Sequence, residues 1–290
     1  MKSLFLSSLL ALGLLAVPAQ AAEYPAKPIT LMTAFNAGGG SDVSHRLLEK
    51  FAKGVFDQPI VVTYKAGAGG EIGWTWLVGA KADGYTIGGV DLPHIVLQPM
   101  LRPEGQPGYK TEQLSPLCGL VYDADVVMVP EAGPYKTFKD LIEYAKANPG
   151  KVKVATVGKL TGDHLFLMQI EKLTGAKFTQ VPYSGSGKAI PALLSGEVDA
   201  YFGSGSSFLR MEKTRGLAIG SKERYELCPD VPTFIEQGYA IESGKYRGLA
   251  TPQNIPAEAR QYLETKFAEL CANPEYQKAV KSSGLMPQFQ

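Results

Sequence analysis

The sequence has little of the chemistry on which many enzymes and nucleic-acid-binding proteins depend. It has 3 histidines in 290 residues, and its 29 Lys and Arg are balanced by 28 Asp and Glu. This balance gives no basic excess to drive binding to nucleic acid or to an anionic membrane. The G-x-S-x-G motif of serine hydrolases and the H-E-x-x-H motif of zinc enzymes are both absent. We therefore expect no enzyme, no nucleic-acid partner, no metal and no other cofactor.

Cysteine is also scarce. Cys118, Cys228 and Cys271 are an odd number and show no C-x-x-C spacing. In an oxidising compartment such a chain can form one disulfide, and the pair that we then expect is Cys228 with Cys271. The alternative is that all three are small buried apolar residues.

Only one long apolar run occurs, at residues 4–17, and it is too short to span a membrane. Lys2 precedes the run, and Ala19-Gln20-Ala21 follows it with the A-x-A pattern of a cleavage site. These features predict a secretory signal peptide over residues 1–21 and a mature, exported chain that begins at Ala22. Removal of Lys2 leaves 28 basic and 28 acidic residues, from 29 − 1 and 28.

The rest of the chain alternates short apolar runs with helical patterns, which predicts α/β layers around mostly parallel sheets. The rhythm runs from residue 29 to residue 90 and restarts at residue 126. Two α/β units are therefore expected, with a boundary near residue 125. The final two helices, after Pro256 and Asn273, are expected to return to the first unit.

Three glycine-rich turns lie where a strand should pass into a helix, at residues 35–42, 66–70 and 157–164. The first N–H groups of a helix have no internal partner, and the helix dipole favours an anion there. Asp42 is expected to be the N-cap of the helix after the first turn. Any one turn is most simply a tight turn. Three of them, distributed over both units, favour a shared anion site in a cleft.

Two other segments and two histidines are relevant to a site. Gly185-Ser186-Gly187-Lys188 is similar to the end of a phosphate loop, but Pro182 and Ala189 occupy positions where that loop needs glycine and Ser or Thr. Residues 183–186 suit a cleft wall between a strand and a helix. His94 is interpreted as a satisfied histidine at a core edge, and His164 is a candidate for lining the cleft.

The order of motifs resembles the tripartite tricarboxylate transporter receptors, also called the Bug family of extracytoplasmic solute-binding proteins. The resemblance covers nearly the whole predicted mature chain. The matching segments are Tyr24-Pro25-Ala26-Lys27-Pro28-Ile29, Gly38-Gly39-Gly40-Ser41-Asp42, Gly67-Ala68-Gly69-Gly70-Glu71-Ile72-Gly73, Asp83-Gly84-Tyr85-Thr86, Val181-Pro182-Tyr183-Ser184-Gly185, Gly196-Glu197-Val198-Asp199, Pro229-Asp230-Val231-Pro232-Thr233 and Glu236-Gln237-Gly238.

The resemblance implies a two-lobed, type II periplasmic-binding-protein fold that closes like a Venus flytrap. It implies lobe 1 over residues 22–125 and 245–290, lobe 2 over residues 126–244, and a monomer in the periplasm. The implied ligand is a small organic anion, expected to be a carboxylate, and the implied partners are the subunits of a membrane transporter. The implied ligand-binding residues are Phe35, Asn36, Ala37, Gly38, Gly39, Gly40, Ser41, Asp42, Ala66, Gly67, Ala68 and Gly69 in lobe 1, and Lys159, Thr161, Gly162, Asp163, His164, Tyr183, Ser184, Gly185, Ser186, Gly203 and Ser204 in lobe 2.

The sequence departs from the family's usual pattern at Ala37 and at residues 64–66, 102–115 and 159–161. These positions fall in or near the predicted ligand loops, so the identity of the ligand stays open. The sequence leaves two alternative functions open. One is a ligand sensor for a signalling membrane protein, and the other is a secreted hydrolase with a cleft serine.

Overall fold

The computed structural model describes residues 23–103, 106 and 108–290. The predicted signal peptide lies outside the described residues. None of the helices in the described part of the chain combines the length and the apolarity needed to cross a membrane.

Strands and helices alternate along most of the described chain. The strands are β1 Ile29–Thr33, β2 Ile60–Tyr64, β3 Thr86–Leu92, β4 Leu114–Pro130, β5 Lys153–Thr156, β6 Thr179–Pro182, β7 Ala200–Ser204, β8 Thr214–Ile219, β9 Gly244–Pro252 and β10 Met286–Pro287. The helices are α1 Gly40–Ala52, α2 Glu71–Val78, α3 His94–Leu101, α4 Phe138–Ala147, α5 Gly162–Thr174, α6 Ser186–Leu194, α7 Gly205–Phe208, α8 Ala257–Ala272 and α9 Pro274–Ser282.

The strands form one sheet in the order β2-β1-β3-β9-β4-β7-β5-β6, and β8 and β10 also pair with β4. The outer strands are parallel on each side, β2 with β1 and β3, and β6 with β5 and β7. The central strands β4 and β9 run antiparallel to each other and to their outer neighbours β7 and β3. The sheet is therefore mixed, and its parallel parts are joined through an antiparallel centre.

β4 is long enough to belong to both halves of the molecule. Its first part, up to Ala124, pairs with β9, and the part from Asp125 pairs with β7 and β8. The Asp125 N–H donates to the carbonyl of Ser243 at 2.9 Å. The chain therefore passes between the halves at two adjacent places, in β4 near Asp125 and just before β9 near Ser243. These partner changes support the predicted lobe ranges, which stay a proposal.

Each half has its own apolar core. In lobe 2, Phe138, Phe166 and Phe234 are fully buried with edge-on ring contacts. In lobe 1, buried side chains of α8 such as Leu263 and Phe267 pack in one cluster with residues of β1 and β3. The final helices therefore pack with residues of the first unit. A capping box opens α4, because Thr137 Oγ1 accepts the Asp140 N–H and Asp140 Oδ2 accepts the Thr137 N–H.

The three cysteines are free thiols, so the conditional pairing of Cys228 with Cys271 is wrong. The two residues belong to different cores. Cys228 belongs to the same apolar cluster as Ile219 of β8, whereas Cys271 belongs to the cluster that includes Ile29 of β1. Both are buried and Cys118 is half-buried, in keeping with the alternative of small apolar residues.

Candidate functional site

The cleft between the lobes is closed by direct contacts. Asn36 Nδ2 of lobe 1 donates to Ser184 Oγ of lobe 2 at 2.6 Å. Arg210 Nη2 of lobe 2 donates to the carbonyl of Gly38 at 3.2 Å. The predicted loops 35–42 and 183–186 therefore meet, as a shared cleft requires.

The first glycine turn leads into α1, but the helix begins earlier than expected. Gly39 is the N-cap, so the expectation that Asp42 is the N-cap is wrong. Asp42 lies in the first helical turn, where its Oδ2 accepts the Gly38 N–H at 2.8 Å and its Oδ1 accepts the Tyr64 hydroxyl at 2.6 Å. Its carboxylate thus holds the turn in place by reaching back over the helix start, as the acidic member of a capping box does.

The second and third glycine turns touch each other across the cleft. A β-carbon on Gly158, whose φ is +132°, would lie 3.1 Å from Gly69 Cα, so only glycine permits this approach. Gln98 Nε2 of α3 donates to the carbonyl of Gly69 at 2.7 Å and fixes that side. Thr161 is the N-cap of α5, and its Oγ1 donates to the carbonyl of Gly158 at 2.9 Å.

A small cavity of ≈ 20 Å³ remains between the lobes, which is room for about one water. Its lining residues are Phe35, Gly39, Gly40, Ser41, Asp91, His94, Val157, Asp163, Ser186, Tyr201, Ser204, Lys245 and Arg247. A larger solute is therefore accommodated only when the lobes, or the long side chains of Lys245 and Arg247, move apart.

Seven of the predicted ligand-binding residues line this cavity, and they come from both lobes. They are Phe35, Gly39, Gly40, Ser41, Asp163, Ser186 and Ser204. The other predicted residues lie outside its lining. They are Asn36, Ala37, Gly38, Asp42, Ala66, Gly67, Ala68, Gly69, Lys159, Thr161, Gly162, His164, Tyr183, Ser184, Gly185 and Gly203.

Two of the predicted residues that lie outside the cavity lining form hydrogen bonds elsewhere. The Tyr183 hydroxyl donates to Glu197 Oε1 at 2.7 Å, which directs it away from the cavity. His164 Nδ1 accepts the Leu160 N–H at 3.2 Å and so closes its own turn. The histidine at the cavity is His94 instead, whose ring packs edge-on against Phe35 and faces the Gly162 N–H.

Sequence reasoning missed the most strongly charged part of the site, which lies on β9. Lys245 is 3% exposed, and its Nζ forms an ion pair with Asp125 and lies 2.8 Å from Asp163 Oδ1. Burial alone would lower the pKa of Lys245. Attraction by the two carboxylates outweighs burial and raises that pKa above its ordinary value, so the ammonium is kept.

Arg247 lies two residues further along the same face of β9 and is 4% exposed. Its Nη1 lies 2.7 Å from Asp123 Oδ2, and its Nε lies 3.1 Å from Asp91 Oδ1. Asp123 also accepts the Ser206 N–H from lobe 2 at 2.9 Å. This cluster therefore joins the central strands β4 and β9 to β3 of lobe 1 and to α5 and α7 of lobe 2.

The two histidines beside this cluster are neutral. Burial, followed by repulsion from Arg247, lowers the pKa of His45 to about 3. Burial, with Lys245 and Arg247 nearby, lowers the pKa of His94 well below its ordinary value. His45 Nδ1 lies 2.7 Å from Thr33 Oγ1, which gives the neutral ring a hydrogen-bond partner. Neither imidazole adds positive charge to the site.

We expect the free energy of unfolding to fall by about 2 kcal/mol between pH 7 and pH 5 because of His45 alone. The unfolded histidine takes up a proton below about pH 6.5, whereas the folded one stays neutral until pH falls to about 3. The stability that neutral His45 contributes is therefore fully present above about pH 6.5 and is lost as the pH falls from there toward 3. Urea titrations of the wild type and His45→Gln at both pH values measure the difference. Equal pH dependence in the two proteins would contradict the prediction.

Comparison with known proteins agrees with this architecture. Residues 45–290 match the model of the tripartite tricarboxylate transporter family receptor. Protein BugT of Bordetella pertussis is 35% identical over 283 residues, which cover 94% of this chain and 85% of BugT. The structure of the periplasmic binding protein BugD has a TM-score of 0.85 at 28% identity, covering 91% of this chain and 89% of BugD.

A third likeness, to MatC of Rhodopseudomonas palustris with bound malate, has a TM-score of 0.83 at 24% identity and covers 91% and 90% of the two chains. At that identity it shows the fold alone. The predicted two-lobed α/β fold of periplasmic binding proteins is thereby confirmed. The family model covers most of the chain, and this chain therefore belongs to the tripartite tricarboxylate transporter receptors, a family of periplasmic solute-binding proteins.

Proposed function

We propose that this chain captures a small organic carboxylate between its lobes and delivers it to a tripartite tricarboxylate-type transporter in the membrane. It does so in the periplasm, after cleavage of the signal peptide. The observation that carries the proposal is the meeting of two helix starts at the cavity. Gly39, the N-cap of α1, lies against Ser186, the first residue of α6 in the other lobe.

The chemistry of the cavity suits a carboxylate. The first N–H groups of a helix lack intrahelical acceptors, and the positive end of the helix dipole adds to their attraction for an anion. α1 has 13 residues and α6 has 9, so each is long enough to have a developed dipole. The buried cations Lys245 and Arg247 line the same cavity, together with Asp91 and Asp163. An anion bound there contacts both lobes and so favours the closed state.

The test is a thermal-shift screen of the mature chain against C4 to C6 dicarboxylates, tricarboxylates, amino acids and aromatic acids. Each acid is paired with its uncharged amide as a control. A ligand at about 100 times its Kd adds roughly 2.7 kcal/mol of stability, which raises the Tm by several degrees.

We expect a shift for at least one acid, none for its amide, and recovery of the acid unchanged by mass spectrometry. A hit that is recovered as a product would replace the receptor with an enzyme. Equal shifts for acid and amide would exclude a carboxylate site.

A further inference from the structure

The buried charges of the cleft do not balance. Four aspartates and two cations are each at most 4% exposed, and they are Asp91, Asp123, Asp125, Asp163, Lys245 and Arg247. The two histidines beside them are neutral, as described above. Arg210 is exposed as a residue, but its guanidinium contacts the Gly38 carbonyl and lies near Asp123, so it is at most a third cation beside the four aspartates. Arg46 is also exposed and is paired with Glu49 at 2.6 Å. The buried site therefore has more carboxylates than cations.

Two of the four carboxylates make the shortest contacts with the two buried cations. Asp123 accepts from Arg247 Nη1 at 2.7 Å and from the Ser206 N–H at 2.9 Å. Asp125 accepts from Lys245 and from Ser243 Oγ, the latter at 2.7 Å. Neither of these two carboxylates lines the cavity. Their two charges are enough to balance Lys245 and Arg247, although each cation also lies within 3.1 Å of a second aspartate.

Asp91 and Asp163 are the surplus pair, and both line the cavity. Asp91 Oδ1 accepts the Ser41 hydroxyl at 2.8 Å and lies 3.1 Å from Arg247 Nε, whereas no hydrogen bond within the described residues reaches its Oδ2. Asp163 Oδ2 accepts the Val157 N–H at 3.0 Å. Its Oδ1 faces Lys245 Nζ at 2.8 Å, yet accepts no well-directed hydrogen bond within the described chain. One surplus carboxylate comes from β3 of lobe 1, and the other from α5 of lobe 2.

We propose that the ligand is an aminocarboxylate, whose ammonium group is held by Asp91 and Asp163 while its carboxylate lies at the starts of α1 and α6. This inference rests on the proposed function, since it takes the carboxylate site as given and adds the opposite charge. An ammonium between the two aspartates joins lobe 1 to lobe 2, so it contributes to closure as well as to recognition.

The physical reason is the cost of buried charge. An ionised carboxylate without a partner is strongly disfavoured away from water, and a group so placed takes up a proton instead. Burial indeed raises the pKa of Asp91, although Arg247 and Ser41 partly offset the effect. A dicarboxylate without an amine adds negative charge to this site. An ammonium neutralises the surplus and supplies three hydrogen-bond donors to oxygens that lack them.

The experiment compares ligands that differ only in the amino group. Calorimetric titrations of the mature protein use 4-aminobutyrate, butyrate and butylamine, and glutamate with glutarate. All natural amino acids and their deaminated counterparts are screened by thermal shift at 10 mM. We expect the best amino acid to bind at least tenfold more tightly than the same acid without its amine, and more tightly than the amine alone.

Variants then locate the ammonium. In Asp91→Asn and Asp163→Asn, the preference for the amino acid over the deaminated acid is expected to fall at least tenfold. The exposed Asp230→Asn is the matched control and should keep that preference. If a cleft variant fails to fold, the ratio of affinities in the wild type still decides the question.

The outcomes separate the two proposals. Deaminated acids that bind as tightly as their amino acids would overturn the aminocarboxylate and leave the carboxylate receptor standing. An amine that binds as tightly as its amino acid would overturn the carboxylate site. If no amino acid raises the Tm, the aminocarboxylate proposal is overturned. If no deaminated acid raises it either, the proposed carboxylate site is overturned as well.

Discussion

Lys245→Met is expected to lower the free energy of unfolding by about 3–5 kcal/mol, the range measured when one partner of a buried ion pair is removed. Methionine matches the length of the lysine stem, so little packing is lost. The loss comes from Asp125 and Asp163, which remain buried without the ammonium that now lies between them. Urea unfolding at pH 7, followed by circular dichroism, measures the change.

A matched control and a rescue identify the cause. The exposed Lys222→Met makes the same change in composition away from the cluster and should alter stability by less than about 0.5 kcal/mol. The triple variant with Asp125→Asn and Asp163→Asn removes the uncompensated charges, and most of the lost stability should return. A Lys245→Met protein as stable as the control would show that water reaches these carboxylates in solution.

The outer parts of the fold could be predicted because local signals and tertiary packing agree there. Strands such as β2 are short β-branched runs, and helices such as α4 carry a capping signal and an apolar stripe. The early start of α1 at Gly40 was not predicted because glycine is a poor helix former. A β-carbon at Gly40 would lie within 2.8 Å of Arg247, Asp123 and Ser206, so the packed cluster leaves room only for glycine. The sequence gives no clear signal for α3, because Pro99 lies inside it.

The central strands β4 and β9, and the charges that they carry, could not be predicted from local sequence signals. The first part of β4 contains Pro116 and Gly119, and β9 carries two cations, so neither segment has the apolar pattern of a buried strand. The charges are explained only by the pairing of the two strands, in which Asp123 lies opposite Lys245 and Tyr122 lies opposite Tyr246. Charged and uncharged residues alternate in the sequence at 123–125, D-A-D, and at 245–247, K-Y-R. In the structure Tyr246 is 52% exposed, whereas the cations on either side of it are buried. Pairing of these two segments across 120 residues is information that only the fold supplies.

Gly187→Ala is expected to weaken ligand binding at least tenfold without unfolding either lobe. Gly187 is the second residue of α6, where alanine is locally preferred to glycine by about 1 kcal/mol. In the closed form, however, a β-carbon at this position would lie 2.2 Å from the carbonyl oxygen of Ala37 in the other lobe. That distance is far below van der Waals contact, so the methyl group keeps the lobes apart at the point where the two helix starts meet.

Two measurements test this steric argument together. Small-angle scattering follows compaction on ligand addition, and calorimetry gives the affinity for the best acid from the screen. We expect both compaction and affinity to be reduced in Gly187→Ala. They should be unchanged in Gly79→Ala, where the added carbon has no neighbour closer than 3.7 Å. Higher affinity in Gly187→Ala would mean that this contact belongs to an empty closed form that competes with the ligand, because opening that form would then free the site. Unchanged affinity and compaction would mean that the bound protein does not use this contact between α6 and the turn before α1.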